Sequence, residues 1–120
     1  MSFTHEIPGL PRGPAPSSLG VVALRLKQAR EAVGMSQRGL GIAAGFDPTV
    51  ASPRVNQYEA GKHTPDVRSL ELLGKVLGKP VPFFYASDDI LAEAIDLLAR
   101  MPIKTRKEAL KALRESMEAS

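Results

Sequence analysis

Cysteine and tryptophan are absent from this 120-residue sequence, and aromatic residues make up only 5% of it. Without cysteine there is no disulfide, no thiolate-ligated zinc and no thiol nucleophile. A small secreted fold stapled by cross-links is excluded on the same ground. Only two histidines occur, His5 and His63, and their separation matches no metal-ligand spacing. No apolar run approaches the roughly 18 residues of a membrane span. The first residues also lack the apolar stretch of a secretory signal. These absences predict a cytoplasmic chain with no membrane partner. Serine, histidine and aspartate form no catalytic set, and no phosphate-cradling glycine loop or paired acid is present. The adjacent acids Asp88 and Asp89 read as a helix cap. The expectation is a protein that is not an enzyme and needs no metal or small-molecule cofactor.

What is present suits one helical domain. The apolar fraction is 43% and the charged fraction 24%, ordinary values for a globular chain. With few aromatics, the core is expected from Leu, Val, Ile and Ala. The net charge of +3 is unevenly spread. Residues 19–86 hold nine Lys/Arg against five Asp/Glu, whereas residues 87–120 hold six against seven. A basic central segment is compatible with a polyanionic partner and equally with a solvated basic surface.

Along the chain, Pro8, Pro11, Pro14 and Pro16 predict a flexible or extended arm over residues 1–18. Leu19, Val22, Leu26, Ala29 and Val33 then recur at helical spacing, with Gly34 as the stop. Ser36 caps a short second helix carrying Leu40, Ala43 and Ala44, and Met35 can staple onto Leu40. Gly39 and Gly41 inside it each cost about 1 kcal/mol relative to Ala, so packing must hold it. A loop from Phe46 to Ala51 follows. Ser52-Pro53 predicts a third helix over 53–60, with Val55 and Tyr58 inward and Gly61 as the stop. Asp66 opens a fourth with Leu70, Leu73, Val76 and Leu77. Pro80 and Pro82 delay further helix, and Phe83, Phe84 and Tyr85 form a turn that plugs the core. Asp88 caps a helix with Leu91, Ala94, Ile95, Leu98 and Met101. Thr105 and Glu108 suggest a capping box for a last helix bearing Leu110, Leu113 and Met117.

The ordered set Leu26-Lys27-Gln28-Ala29-Arg30-Glu31, Gly34-Met35-Ser36-Gln37, Leu40, Ala44-Gly45, Val55, Tyr58-Glu59-Ala60-Gly61-Lys62, Pro65, Leu70, Leu73, Val76-Leu77-Gly78 and Pro82 resembles the Cro/repressor-like helix-turn-helix family. The resemblance spans residues 19–86. It implies an all-α, five-helix lambda-repressor-like domain that binds double-stranded DNA as a homodimer, here with two further helices in 87–120 as a possible dimerisation segment. In that family the first helix of the motif crosses the DNA backbone and the second enters the major groove. The implied DNA contacts are Ser36, Gln37 and Arg38 on the former and Arg54, Asn56 and Gln57 on the latter, with Lys62 on phosphate. Arg30 and Glu59 match a pair linking the first helix to the third. The turn over 46–51 is longer than the family's, which leaves Thr49 or Ser52 open as leading residues instead. Arg can pair guanine and Asn or Gln adenine. The resulting expectation is a sequence-specific, repressor-like regulator. A protein-interaction adaptor, antitoxin-like and without DNA reading, is the alternative.

Overall fold

The computed structural model describes residues 18–120, so the proline-rich arm lies outside the described residues. Seven helices follow one another: α1 Ser18–Ala32, α2 Gln37–Ala43, α3 Ala51–Glu59, α4 Val67–Leu77, α5 Val81–Tyr85, α6 Asp89–Arg100 and α7 Ile103–Ala119. The all-α, lambda-repressor-like architecture expected from the sequence is the one found. Among the described residues there is no strand.

Local chemistry sets most boundaries. Ser36 accepts from the Gly39 amide at 2.9 Å, Asp66 from Ser69 at 2.7 Å and Asp88 from Ile90 at 2.7 Å, each satisfying an orphan donor of a first turn. One core joins the helices. It contains Val22, Leu26 and Ala29 from α1, Leu40 from α2, Val55 and Tyr58 from α3, Leu70, Leu73 and Leu77 from α4, and Phe83 and Phe84 from α5. Phe83 and Phe84 meet edge to face, the plug expected of them, while Tyr85 is exposed. Val33, expected on the apolar stripe of α1, lies past its end and is also exposed.

One of the two glycines of α2, Gly41, has a packing reason. A Cβ on Gly41 would stand 2.8 Å from the Ala51 Cβ, so α2 and α3 cross where only glycine fits. The same holds for Gly74, whose Cβ would meet the Lys79 carbonyl oxygen at 2.5 Å. That contact brings the chain after α4 back over the helix and sets Phe84 into the core.

Four sequence expectations need correction. Helix α3 begins at Ala51, so Ser52 and Pro53 lie inside its first turn rather than at its cap. Its N-cap, Val50, makes no side-chain bond. Proline is tolerated there because first-turn amides have no intrahelical acceptor. The segment around Pro82 is helix α5, since proline in a first turn fits for the same reason. Helix α7 starts at Ile103 after Pro102, two residues before the expected capping box, and its N-cap makes no side-chain bond. Finally, α6 is not separate from the core. Ala92 is buried in it, Ile95 packs against it, and Lys79 Nζ holds Asp96 at 2.8 Å. Helix α7 buries no residue.

Candidate DNA-binding surface

The site is built on α2 and α3, which pack closely across Gly41 and Ala51. The buried side of α3 is Ala51, Val55 and Tyr58. At 100° per residue its opposite side carries Pro53, Asn56, Gln57 and Ala60, and all four are exposed. This is the ridge a major groove about 12 Å wide would receive. The two sequence-predicted readers Asn56 and Gln57 are therefore brought to one exposed face.

Arg54 is not. It lies toward α4 and is half-buried. Its guanidinium carbon sits 4.0 Å from the centroid of the Phe46 ring. Its Nε donates to the Tyr58 hydroxyl at 2.9 Å and one terminal nitrogen donates to Ser69 Oγ at 3.0 Å. The outward placement expected from helical spacing is thus overturned for this residue. The cause is the long turn itself, which carries Phe46 into the core and gives Arg54 an aromatic face to stack on. The turn is otherwise closed by Asp47, whose carboxylate accepts from the Thr49 amide at 2.8 Å and hydroxyl at 2.6 Å. Those bonds, the hydroxyl first, hold Asp47 below the usual carboxylate range.

On the other side of α3 a chain of polar contacts runs from α1 to the exposed ridge. Arg30 grips Glu59 with two bonds, Nε at 2.7 Å and a terminal nitrogen at 3.0 Å. Its remaining terminal nitrogen donates to the Met35 carbonyl at 2.8 Å. The Glu59 hydrogen bond, despite opposing burial, raises the Arg30 guanidinium above its ordinary range. Glu59 also accepts from Gln37 Nε2 at 3.2 Å, and Gln37 Oε1 accepts from Asn56 Nδ2 at 3.4 Å. The link that the resemblance implied between Arg30 and Glu59 is therefore made, and Gln37 is half-buried within it. Ser36 is exposed with its hydroxyl engaged at the cap, Ser52 is half-buried, and Arg38 and Lys62 are exposed.

Sequence reasoning missed two features. A shallow cavity of about 490 Å³ opens beside α3, lined by Val50, Pro53, Arg54, Gln57, Tyr58, His63 and Thr64. Val50 and Pro53 give its mouth an apolar lip, a consequence of the helix starting earlier than the Ser-Pro signal indicated. The second is Arg25, a charged side chain on α1. It is buried, donating from Nε to the Ala86 carbonyl at 2.8 Å and pairing with Asp89 at 2.7 Å. A buried arginine has no sequence signal of its own, because only the tertiary neighbours supply its acceptors.

Two short helices crossing at a glycine, the second with a polar neutral ridge to solvent, define a helix-turn-helix DNA-binding protein. The helix-turn-helix family pattern matches residues 26–84. Among solved structures, that of transcriptional regulator BswR is similar, at 37% sequence identity and a TM-score of 0.72, with 81% of this chain and 96% of that chain covered. No curated protein matches the sequence. The chain belongs to the helix-turn-helix family.

Proposed function

We propose that this protein is a sequence-specific transcriptional regulator of repressor type that binds a two-fold symmetric site as a homodimer. The observation that carries it is the exposed ridge of α3, on which Asn56 and Gln57 stand while the charged residues of that helix, Arg54 and Glu59, are engaged with α4 and α1. Amides at such positions pair adenine through its N6 and N7 groups. Gln37, tied to Asn56, steadies that amide, and Arg38 and Lys62 neutralise phosphates on either side of the groove. Val50 and Pro53 offer apolar surface of the kind that contacts a thymine methyl. Residues 19–86 act as the DNA-binding part and residues 87–120 serve association. The 37% identity to a transcriptional regulator supports the reading.

The adaptor alternative rested on the long turn and the glycines of α2. The turn and Gly41 have packing reasons, Phe46 under Arg54 and Gly41 against Ala51, so neither specifically favours it. The test is selection of bound DNA from a random pool. The expected outcome is an inverted repeat whose half-sites lie about 34 Å apart, one helical turn. Enrichment of no sequence at moderate salt would refute the reading.

A further inference from the structure

Helix α6 has two apolar sides. One, with Ala92 and Ile95, packs on the domain. The other does not. Ile90, Leu91, Ala94, Leu97 and Leu98 occupy an arc of about 120° at 100° per residue, and no charged residue falls within it. Ile90, Leu91 and Leu97 are each at least half exposed. Helix α7 repeats the pattern: Ile103, Leu110, Leu113 and Met117 share an arc of about 80°, and all four are exposed.

Helix α7 is nevertheless held in place. Arg106, which shares the face of Leu110, Leu113 and Met117, reaches back to the end of α6. Its Nε donates to the Leu98 carbonyl at 2.9 Å, and one terminal nitrogen donates to the carbonyls of Ala99 and Met101, both at 3.2 Å. They lie at the end of α6, where the usual next-turn donors are missing, although the Leu98 carbonyl also accepts from the Met101 amide at 3.2 Å. A guanidinium thus links the start of α7 to the end of α6, while among the described residues no side chain of α7 is fully buried.

We infer that the outer face of α6 and the stripe of α7 form a self-complementary interface with a second copy of this chain, α7 of each protomer covering α6 of the other. Three observations select that occupant. The exposed large side chains of α6 and α7 present on the order of 700 Å², close to the ~800 Å² per partner of a stable interface. Each chain carries both halves of the contact, as a two-fold interface requires. The Arg106 clasp pre-sets the arm, which lowers the ordering cost of association. The inference deepens the homodimer of the proposed function by naming its surface, and it stands or falls separately from base reading by α3.

Sedimentation and far-UV circular dichroism of the full chain test it, without DNA. The wild type should sediment at twice the 12.9 kDa of one chain. Leu97→Glu and Leu113→Glu should each weaken association by about 100-fold or more, because a carboxylate cannot enter an apolar interface unpaired. Neither side chain is buried in the monomer, so the domain itself should still unfold cooperatively, with a midpoint that no longer depends on protein concentration. Ala112→Glu, on the opposite side of α7, should remain dimeric. Helicity should fall in the monomeric variants, since a single unpacked helix of this length is marginal in water. Half-site base preference should be retained. A wild type that is monomeric at tens of micromolar would overturn the inference, as would a dimer that survives both Glu substitutions.

Discussion

Replacing Arg30 by Ala is expected to destabilise the domain by about 3 kcal/mol, toward the cost of breaking a buried ion pair and well beyond the ~0–1 kcal/mol of an exposed one. The environment decides between these limits. The Arg30 side chain is 13% exposed and that of Glu59 4%. Without Arg30, the Glu59 carboxylate stays in that setting with Gln37 as its remaining side-chain donor, and the Met35 carbonyl loses its bond as well. Glu59→Ala strands the guanidinium in the same way. The double variant removes both charges, so its loss should fall short of the sum by about 2 kcal/mol, within the range of coupled neighbours. For a domain of about 100 residues each single change then lowers Tm by roughly 12–20 °C. Urea unfolding of the four proteins measures all three quantities. Additivity within about 0.5 kcal/mol, or single losses below about 1 kcal/mol, would refute the claim that the pair acts as a buried unit.

Other expectations follow from the same geometry. Asn56→Ala and Gln57→Ala should each cost about 1–3 kcal/mol at one base position, whereas Lys62→Ala should weaken all sequences alike; identical losses on specific and random DNA would remove α3 as the reader. Arg54→Ala should destabilise the fold without changing base preference, a split that unfolding and binding-site selection read separately. If Arg38 and Lys62 supply two phosphate contacts per protomer, the log–log salt slope of a dimer should be about −3.6, and a flat dependence would refute the assignment. On acidification, Asp96 matters. Burial pushes its carboxyl up, but the bonds from Lys79 and Arg100 outweigh that and hold it below its ordinary range. A depressed carboxylate contributes stability that is present above its unfolded pKa, about 3.9, and lost as pH falls through the lower folded value. Asp96→Asn should therefore flatten the loss of stability below about pH 4, followed by denaturant midpoint against pH.

The caps and stops were legible in the sequence because they are local. Ser36, Asp66 and Asp88 each bond an amide two or three residues on, and such signals depend on nothing distant. The buried stripes of α1 and α4 were legible for the related reason that periodicity encodes a face. What could not be read is where the long cations go. Arg25 and Arg54 sit at the edges of the buried faces of their helices, and their acceptors, the Ala86 carbonyl and the Ser69 hydroxyl, lie 61 and 15 residues away. The start of α3 was misplaced because Ser52-Pro53 is as compatible with a first turn as with a cap. The docking side of α6 was hard to read because it is made by Ala92 and Ile95, and Ile95 lies beside the larger set of Leu91, Leu97 and Leu98 that faces away.

The inward cations also bear on how the site discriminates. Of the nine Lys/Arg in residues 19–86, Arg25, Arg30 and Lys79 pair with Asp89, Glu59 and Asp96, and Arg54 stacks on Phe46. Four of those nine cations are thus engaged inside the domain, two of them with Asp89 and Asp96 beyond residue 86, while Lys27, Arg38, Lys62, Arg68 and Lys75 stay exposed. The recognition helix is pinned from both flanks, by Glu59 to α1 and by Arg54 to α4, and its exposed ridge is left with neutral amides. Phosphate attraction is non-specific, whereas amides read base edges. A ridge of this composition itself gains little from random DNA, so under the proposed function its contribution comes from matched base contacts made by two copies at once. On the proposed function, association through α6 and α7 and base reading by α3 are then two halves of one requirement, because a half-site contact resting on a few neutral amides holds DNA weakly.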